Sequence, residues 1–147
     1  MNVVENPGAA DLPRLLEVWE AAVRATHHFL SEADIRFYAP QVRAAFDSPI
    51  RLACVRAEDG QVAGFVGCLD GRIEMLFVDP AQHGRGFGRR LLEHAVAQHD
   101  ARALDVNEQN PDALAFYRHL GFEVVGRSAL DGSGKPFPLL HLRLPPG

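Results

Sequence analysis

The chain has 147 residues, of which 47% are hydrophobic and 23% charged, and its formal net charge is −4. That balance belongs to a globular domain with one core, and it argues against a disordered tract or a large nucleic-acid-binding face. No apolar run has the length of a membrane span and no basic-then-apolar leader opens the chain, so one cytoplasmic domain over residues 1–147, free of membrane association, is expected.

In chain order, Asn2-Val3-Val4-Glu5 predicts a short first strand. Asp11 is expected to cap an amphipathic helix with Pro13 in its first turn, since Leu12, Leu15, Leu16, Trp19, Ala22 and Val23 recur at helical spacing. Ser31-Glu32-Ala33-Asp34 resembles a capping box that opens a second helix, with Ile35, Tyr38, Val42 and Phe46 inward and a kink or break at Pro40. From Arg51 the period shortens. Arg51 to Ala57, Gln61 to Leu69 and Arg72 to Val78 read as strands joined at Glu58-Asp59-Gly60 and Asp70-Gly71. Cys54 and Cys68 fall in these apolar runs and are expected to be reduced core residues rather than a disulfide.

After Asp79-Pro80 comes His83-Gly84-Arg85-Gly86-Phe87-Gly88, followed by a helix with Leu91, Leu92, Ala95 and Val96 on its buried side. Glycines here let backbone N–H groups approach a ligand, and the helix N-terminus adds unpaired amides and a positive dipole end, which suits phosphate. The run lacks the Gly-Lys-Ser/Thr ending of a Walker loop and the G-x-G-x-x-G spacing of a dinucleotide fold. Ala103 to Asn107 is a further strand, and Pro111 to Leu120 a short helix capped at Gly121. Phe122 to Arg127 and Pro138 to Leu144 close the chain around Asp131-Gly132-Ser133-Gly134. The order βααβββαβαββ implies an α/β (α+β) fold. It has a mostly antiparallel mixed sheet of about seven strands, four flanking helices, and one parallel β-α-β crossover between Val78 and Leu104.

With that order, two segments resemble the GNAT family of acetyl-CoA-dependent N-acetyltransferases. His83-Gly84-Arg85-Gly86-Phe87-Gly88 is similar to the family's pyrophosphate loop, R/Q-x-x-G-x-G/A. Asn110-Pro111-Asp112-Ala113-Leu114-Ala115-Phe116-Tyr117-Arg118-His119-Leu120-Gly121-Phe122 is similar to its N-x-x-A-x-x-F-Y-x-x-x-G-F segment. The resemblance spans essentially the whole chain. It implies acetyl-CoA as co-substrate, an amine acceptor and direct transfer within a ternary complex. A non-catalytic acyl-CoA-binding module that kept the loop is the alternative. His83 departs from the family's Arg or Gln, and weakened cofactor binding is expected there.

By the same resemblance, the strand edge Leu76, Phe77 and Val78 takes the pantetheine arm. The amides of Gly84, Arg85, Gly86, Phe87, Gly88 and Arg89 hold the pyrophosphate, with charge added by Arg85, Arg89 and Arg90. Asn110 contacts the cofactor and can also cap its helix. Tyr117 is the candidate acid for the departing thiolate, because a phenol, with a pKa of about 10, is protonated at neutral pH. Asp105, alternating with Leu104 and Val106 and so turned from the core, is the first candidate base, and Glu74 its rival. His27, His28 and Phe29 follow the first helix at the acceptor side, where a histidine could contact substrate or move a proton. Asn107 joins Glu74 and Asp105 in a polar lining suited to a cationic amine. No His/Cys/Asp cluster has metal-ligand spacing, and exposed strand edges leave monomer and homodimer both open.

Overall fold

The structure, a computed structural model, describes residues 4–146. Its centre is a meander of β1 (Arg51–Arg56), β2 (Val62–Leu69) and β3 (Arg72–Val78). Asp70 and Gly71 both have positive φ, 51° and 77°, the two-residue turn whose twist matches that of the strands it joins. With β4 (Ala103–Asn107), β5 (Glu123–Ser128) and β6 (Leu139–Arg143) the sheet has the order β1-β2-β3-β4-β6-β5. Among the described residues only the β3–β4 pair is parallel, as the crossover between them requires.

Among the described residues six strands form the sheet, where the sequence suggests about seven. Residues 2 and 3 of the expected first strand lie outside the described residues, and Glu5 makes a single antiparallel bridge to Cys54. Continuing that ladder would set Pro7 opposite Leu52, and proline has no N–H to donate.

Two layers of helices cover the sheet. α1 (Leu12–Thr26) and α2 (Glu32–Phe46) bury Leu15, Val18, Trp19 and Ile35 against Cys54, Val62, Phe65 and Met75. On the other face, α3 (Phe87–His99) and α4 (Pro111–His119) bury Phe87, Leu91, Leu92 and Tyr117 against Val55, Val66, Leu104, Val106 and Leu142. Each large aliphatic side chain so buried contributes about 1.5–3 kcal/mol. Cys54 and Cys68 are both free and buried, and burial pushes each thiol up to about 11.

The caps refine the expected boundaries. Ser31 and Asp34 exchange both bonds of a capping box at α2. That helix continues through Pro40, although the ring removes one hydrogen bond from its ladder. Asp11 occupies the N-cap position of α1 without capping it. Its carboxylate instead accepts from the Gly8 N–H and from Arg56. Leu120 is the C-cap of α4, and Gly121, at φ 98°, is the residue after it.

Two irregularities in β3 shape everything that follows. First, β3 and β4 pair only at Arg72–Ala103 and Ile73–Leu104, so the strands part beyond Ile73. Second, the β2–β3 register slips between Gly67–Met75 and Cys68–Ile73, which makes Glu74 the extra residue of a bulge. A bulge re-aims side chains, and here it brings Met75 to the α1/α2 face when simple alternation from Ile73 would place it on the other.

Candidate active site

The parted strands expose one edge of β3. Asp79 donates its N–H to Ala63 O at 2.8 Å, and the register pairs Val78 with Gly64, Phe77 with Phe65 and Leu76 with Val66. Antiparallel pairs alternate between bonded and non-bonded. Counting back from Asp79, Phe77 points its backbone groups at β2, whereas Val78 and Leu76 point theirs away, toward the gap beside β4. A ligand in that gap would meet a strand edge with N–H and C=O groups on offer.

The gap opens into a cleft of about 370 Å³ walled by Leu76, Phe77 and Val78, by Gly84, Gly86, Phe87, Gly88 and Arg89, and by Asn110 and Tyr117. Gly84 and Gly86 adopt φ of 79° and 78°, the left-handed region that a side chain resists. A Cβ built on either would meet nothing within 4 Å, so the space beyond them is open to a ligand. The first-turn amides of α3 begin at Phe87 and have no intrahelical acceptors. Together these features make a concave, amide-lined seat for an anion, and the donor set fits the pyrophosphate and pantetheine of coenzyme A.

Several expected residues meet here. Asn110 is 8% exposed, and its Oδ1 accepts the Ala113 N–H at 3.3 Å as the helix cap, which leaves its amide nitrogen for the cleft. Tyr117 packs its ring against Phe116 and Phe122, and burial pushes its phenol above the ordinary tyrosine value, so it stays protonated. Arg89 reaches the cleft wall and also pairs with Glu93 at 3.7 Å. Arg85 is exposed on the loop outside the wall, and His83 lines the cleft from an exposed position. Gln82 was not anticipated. Its Oε1 is buried without a hydrogen-bond partner, and the residue lines the cleft immediately before His83.

The loop is fixed from below. Asp79 accepts from the Ala81 N–H and from Arg14 Nη2 at 2.8 Å, and Arg14 Nε donates to Val62 O. This clamp ties the entrance of the glycine loop to α1, whose far end carries His27.

A second pocket of about 590 Å³ lies on the α1/α2 side. Its wall holds His27, Phe29, Glu74 and Asn107 from the expected set, together with Trp19, Tyr38, Phe77, Asp131 and Phe137. Phe29 sits between the His27 and Phe137 rings, at centroid distances of 5.3 and 5.5 Å. The loop after β5 closes one side. It is pinned to α2 by the Tyr38–Asp131 hydrogen bond and by Lys135 Nζ on Asp34 at 3.0 Å, with Lys135 also 4.4 Å from the Phe37 ring centroid. Glu74 lies 3.7 Å from Arg72 Nε and its side chain is 43% exposed.

Asp105 points away from the core side shared by Leu104 and Val106, as its alternation implies. It is absent from the wall of this pocket, however. Its carboxylate is ion-paired with Arg72 Nη2 at 3.2 Å and bonds His141 Nδ1 at 2.6 Å, while His141 Nε2 bonds Ser128 Oγ at 2.7 Å. These contacts run across β4, β6 and β5 and occupy the carboxylate with partners far away in sequence.

Residues 50–124 match the Acetyltransferase (GNAT) domain family. The chain is 37% identical over 132 residues to the peptidyl-lysine N-acetyltransferase YjaB of Salmonella typhimurium strain LT2, covering 90% of each chain. It is 40% identical over 128 residues to the protein of that name from Escherichia coli strain K12, covering 87% of this chain and 86% of the other. The solution structure of apo-form YjaB from Escherichia coli superposes with a TM-score of 0.88 at 35% identity, over 98% of this chain and 97% of that one.

Proposed function

The chain belongs to the GNAT family and is an acetyl-CoA-dependent N-acetyltransferase, and from that premise we propose that a single domain over residues 1–147 acetylates the side-chain amine of a lysine in a peptide or protein. The observation that carries the reading is the register of β3. It leaves the backbone groups of Leu76 and Val78 facing a cleft that has the glycine loop at one end and Tyr117 on its wall. Leu76 N–H polarises the thioester carbonyl, the amides from Gly84 to Arg89 hold the pyrophosphate, and the Asn110 amide nitrogen contacts the cofactor. Tyr117 gives its proton to the departing sulfur.

The acceptor pocket suits a long apolar stem with a cationic head. Trp19, Phe29 and Phe77 offer aromatic wall, while Glu74 and Asp131 supply negative charge. Presenting a lysine amine neutral at pH 7 costs about 4–5 kcal/mol, so a proton acceptor beside it has a large effect to exert. Of the two carboxylates, Glu74 lines the pocket, whereas Asp105 is held by Arg72 and His141. Asp105 then supports β4, and through it Asn107, more directly than it meets the amine.

The test is thiol release from acetyl-CoA with single-lysine peptides, N-terminal amines and small amines in parallel, with mass spectrometry of the products. Lys135 is the chain's single lysine, so label on an added peptide stands apart from self-labelling. Nε-acetyl-lysine peptide as the main product supports the reading. Transfer confined to small amines or to N-terminal amines overturns the lysine assignment and leaves N-acetyltransfer intact.

A further inference from the structure

The donor cleft and the acceptor pocket share two wall residues, Phe77 and His27. Phe77 is apolar, so His27 is the titratable group at the boundary the amine nitrogen must cross to reach the thioester. It is the C-cap of α1, with its backbone N–H on Val23 O at 2.7 Å, and the Arg14–Asp79 clamp at the other end of that helix fixes α1 against the glycine loop.

The ring's tautomer follows from its neighbour. Thr26 Oγ lies 2.7 Å from Ala22 O and 2.8 Å from His27 Nδ1. A carbonyl can only accept, so the Thr26 hydroxyl hydrogen is spent on Ala22 and Oγ accepts the hydrogen of Nδ1. A neutral imidazole protonated at Nδ1 carries its lone pair on Nε2. Phe29 packs on the ring and holds its plane. Burial pushes the imidazole below its ordinary value of 6.5, against an opposing hydrogen bond with the Asn107 side chain, so the ring is neutral at neutral pH and Asn107 is the group an incoming amine displaces from it.

Resting on the acetyl-transfer reading above, we propose that His27 is the general base that deprotonates the acceptor amine, with Nε2 as the accepting atom. His27 Nε2 takes one proton from the ammonium. The freed nitrogen lone pair forms the C–N bond to the acetyl carbon, and the C–S bond breaks with its electron pair on sulfur. The Tyr117 hydroxyl protonates that sulfur and regains a proton from the second N–H of the nitrogen, while His27 returns its own to water. One proton thus ends on the thiol and one in solvent, which balances the conversion of an ammonium and a thioester into an amide and a thiol. Glu74, in the acceptor pocket but absent from the donor cleft, attracts the ammonium to this boundary.

The charged and titratable groups that line the two cavities with His27, or adjoin it in the chain, come from every side. His28 is its neighbour in the chain and disfavours its cation. β3 contributes Glu74, and α2 with the loop after β5 contributes Tyr38 and Asp131. The glycine loop contributes His83 and α3 Arg89, and α4 contributes Asp112 and Tyr117.

The test compares the whole wild-type chain with His27→Gln and Glu74→Gln, using acetyl-CoA and whichever amine of the parallel panel gives the fastest wild-type thiol release. For H27Q the expected result is a fall in kcat of about 10²-fold or more, within the usual range for a general base. Acetyl-CoA affinity should change less than about threefold, and the acid limb of the pH profile should vanish. An acceptor amine already neutral at pH 7 should lose much less rate, which a merely structural role for His27 would not predict. If H27Q keeps kcat within about threefold and keeps the acid limb, while E74Q loses both, the base is Glu74 and the proposal is wrong. Nitrogen-15 spectra of the wild-type imidazole at pH 7 give a check independent of any variant's folding: a hydrogen on Nδ1 is expected, and one on Nε2 overturns the proposal. A wild-type chain that releases thiol with no amine overturns acetyl transfer itself, and this inference with it.

Discussion

Replacing Tyr117 with Phe removes one oxygen from the donor cleft and little else. The ring would keep its contacts with Phe116 and Phe122, whose centroids lie 5.2 and 5.9 Å away, so the core packing of α4 survives. Because Tyr117 as a whole is only 9% exposed and its ring is retained, loss of the hydroxyl should alter stability by no more than about 1 kcal/mol, or about 2–4 °C in Tm for a domain of this size. The effect on turnover is of another order. A positioned general acid contributes about 10²–10⁴-fold, which corresponds to about 3–5 kcal/mol of barrier. Burial, which holds the Tyr117 phenol protonated, keeps that donor available throughout the neutral range. The assay pairs steady-state thiol release with calorimetric titration of coenzyme A. A fall in kcat of at least about 10²-fold with coenzyme A affinity within about threefold is the expected outcome. A kcat within about threefold of wild type, or a fall matched by an equal loss of coenzyme A affinity, would refute the reasoning.

Gly64 lies where a Cβ would come 2.9 Å from the Phe77 carbonyl oxygen and 3.2 Å from Leu91 Cδ1, so Gly64→Ala should cost about 1–3 kcal/mol by overpacking. Thermal denaturation reads this as a lower Tm, and an unchanged Tm would contradict the close approach of β2, β3 and α3. Gly86→Ala puts a side chain at φ 78°, a strain of about 1–2 kcal/mol, and also fills space left for the ligand. Coenzyme A should bind about tenfold more weakly or worse, and an undiminished affinity by calorimetry would remove the loop from the site. Burial lowers both His27 and His94 below 6.5, so the unfolded chain binds protons more readily than the fold as pH drops through that value. Stability should therefore be independent of these groups above about pH 6.5 and fall on acidification below it, until their depressed folded values are passed. The ion-paired carboxylates Asp11, Glu32 and Glu108, lowered by arginine partners, add their own loss only nearer pH 4 and below. A His27→Gln/His94→Gln double variant should flatten the Tm profile between about pH 7 and pH 5.5, and an unaltered slope would show that neither ring is buried neutral.

Much of this was legible because local chemistry marked it. Asp70-Gly71 and Asp79-Pro80 bracket β3, and the structure places that strand at Arg72–Val78 as expected. Ser31 and Asp34 announce α2 through bonds three residues apart, and Gly84 and Gly86 of the loop adopt the left-handed backbone that glycine favours. The features that resisted reading depend on other strands. The bulge at Glu74 cannot be seen in β3 alone, because the extra residue is defined only by the register of β2 opposite. It is nonetheless what distinguishes the two carboxylates. Asp105 alternates in sequence as a base should, yet its partners Arg72 and His141 come from β3 and β6, and Ser128 extends the chain to β5. His27 is legible in the sequence as an acceptor-side residue that could contact substrate or move a proton, but not as the residue shared by two cavities. Its place between two cavities depends on how α1 lies over the parted strands.

Coenzyme A should lie along the free edge of β3 with its pyrophosphate on the glycine loop. Titration of the nitrogen-15-labelled chain with coenzyme A, followed by amide chemical shifts, tests this most directly. Saturable shifts are expected, largest at the amides of Leu76, Val78 and residues 84–89, with the edge strands β1 and β5 nearly silent. Saturable binding whose largest shifts fall outside β3, the glycine loop and α4 would contradict it.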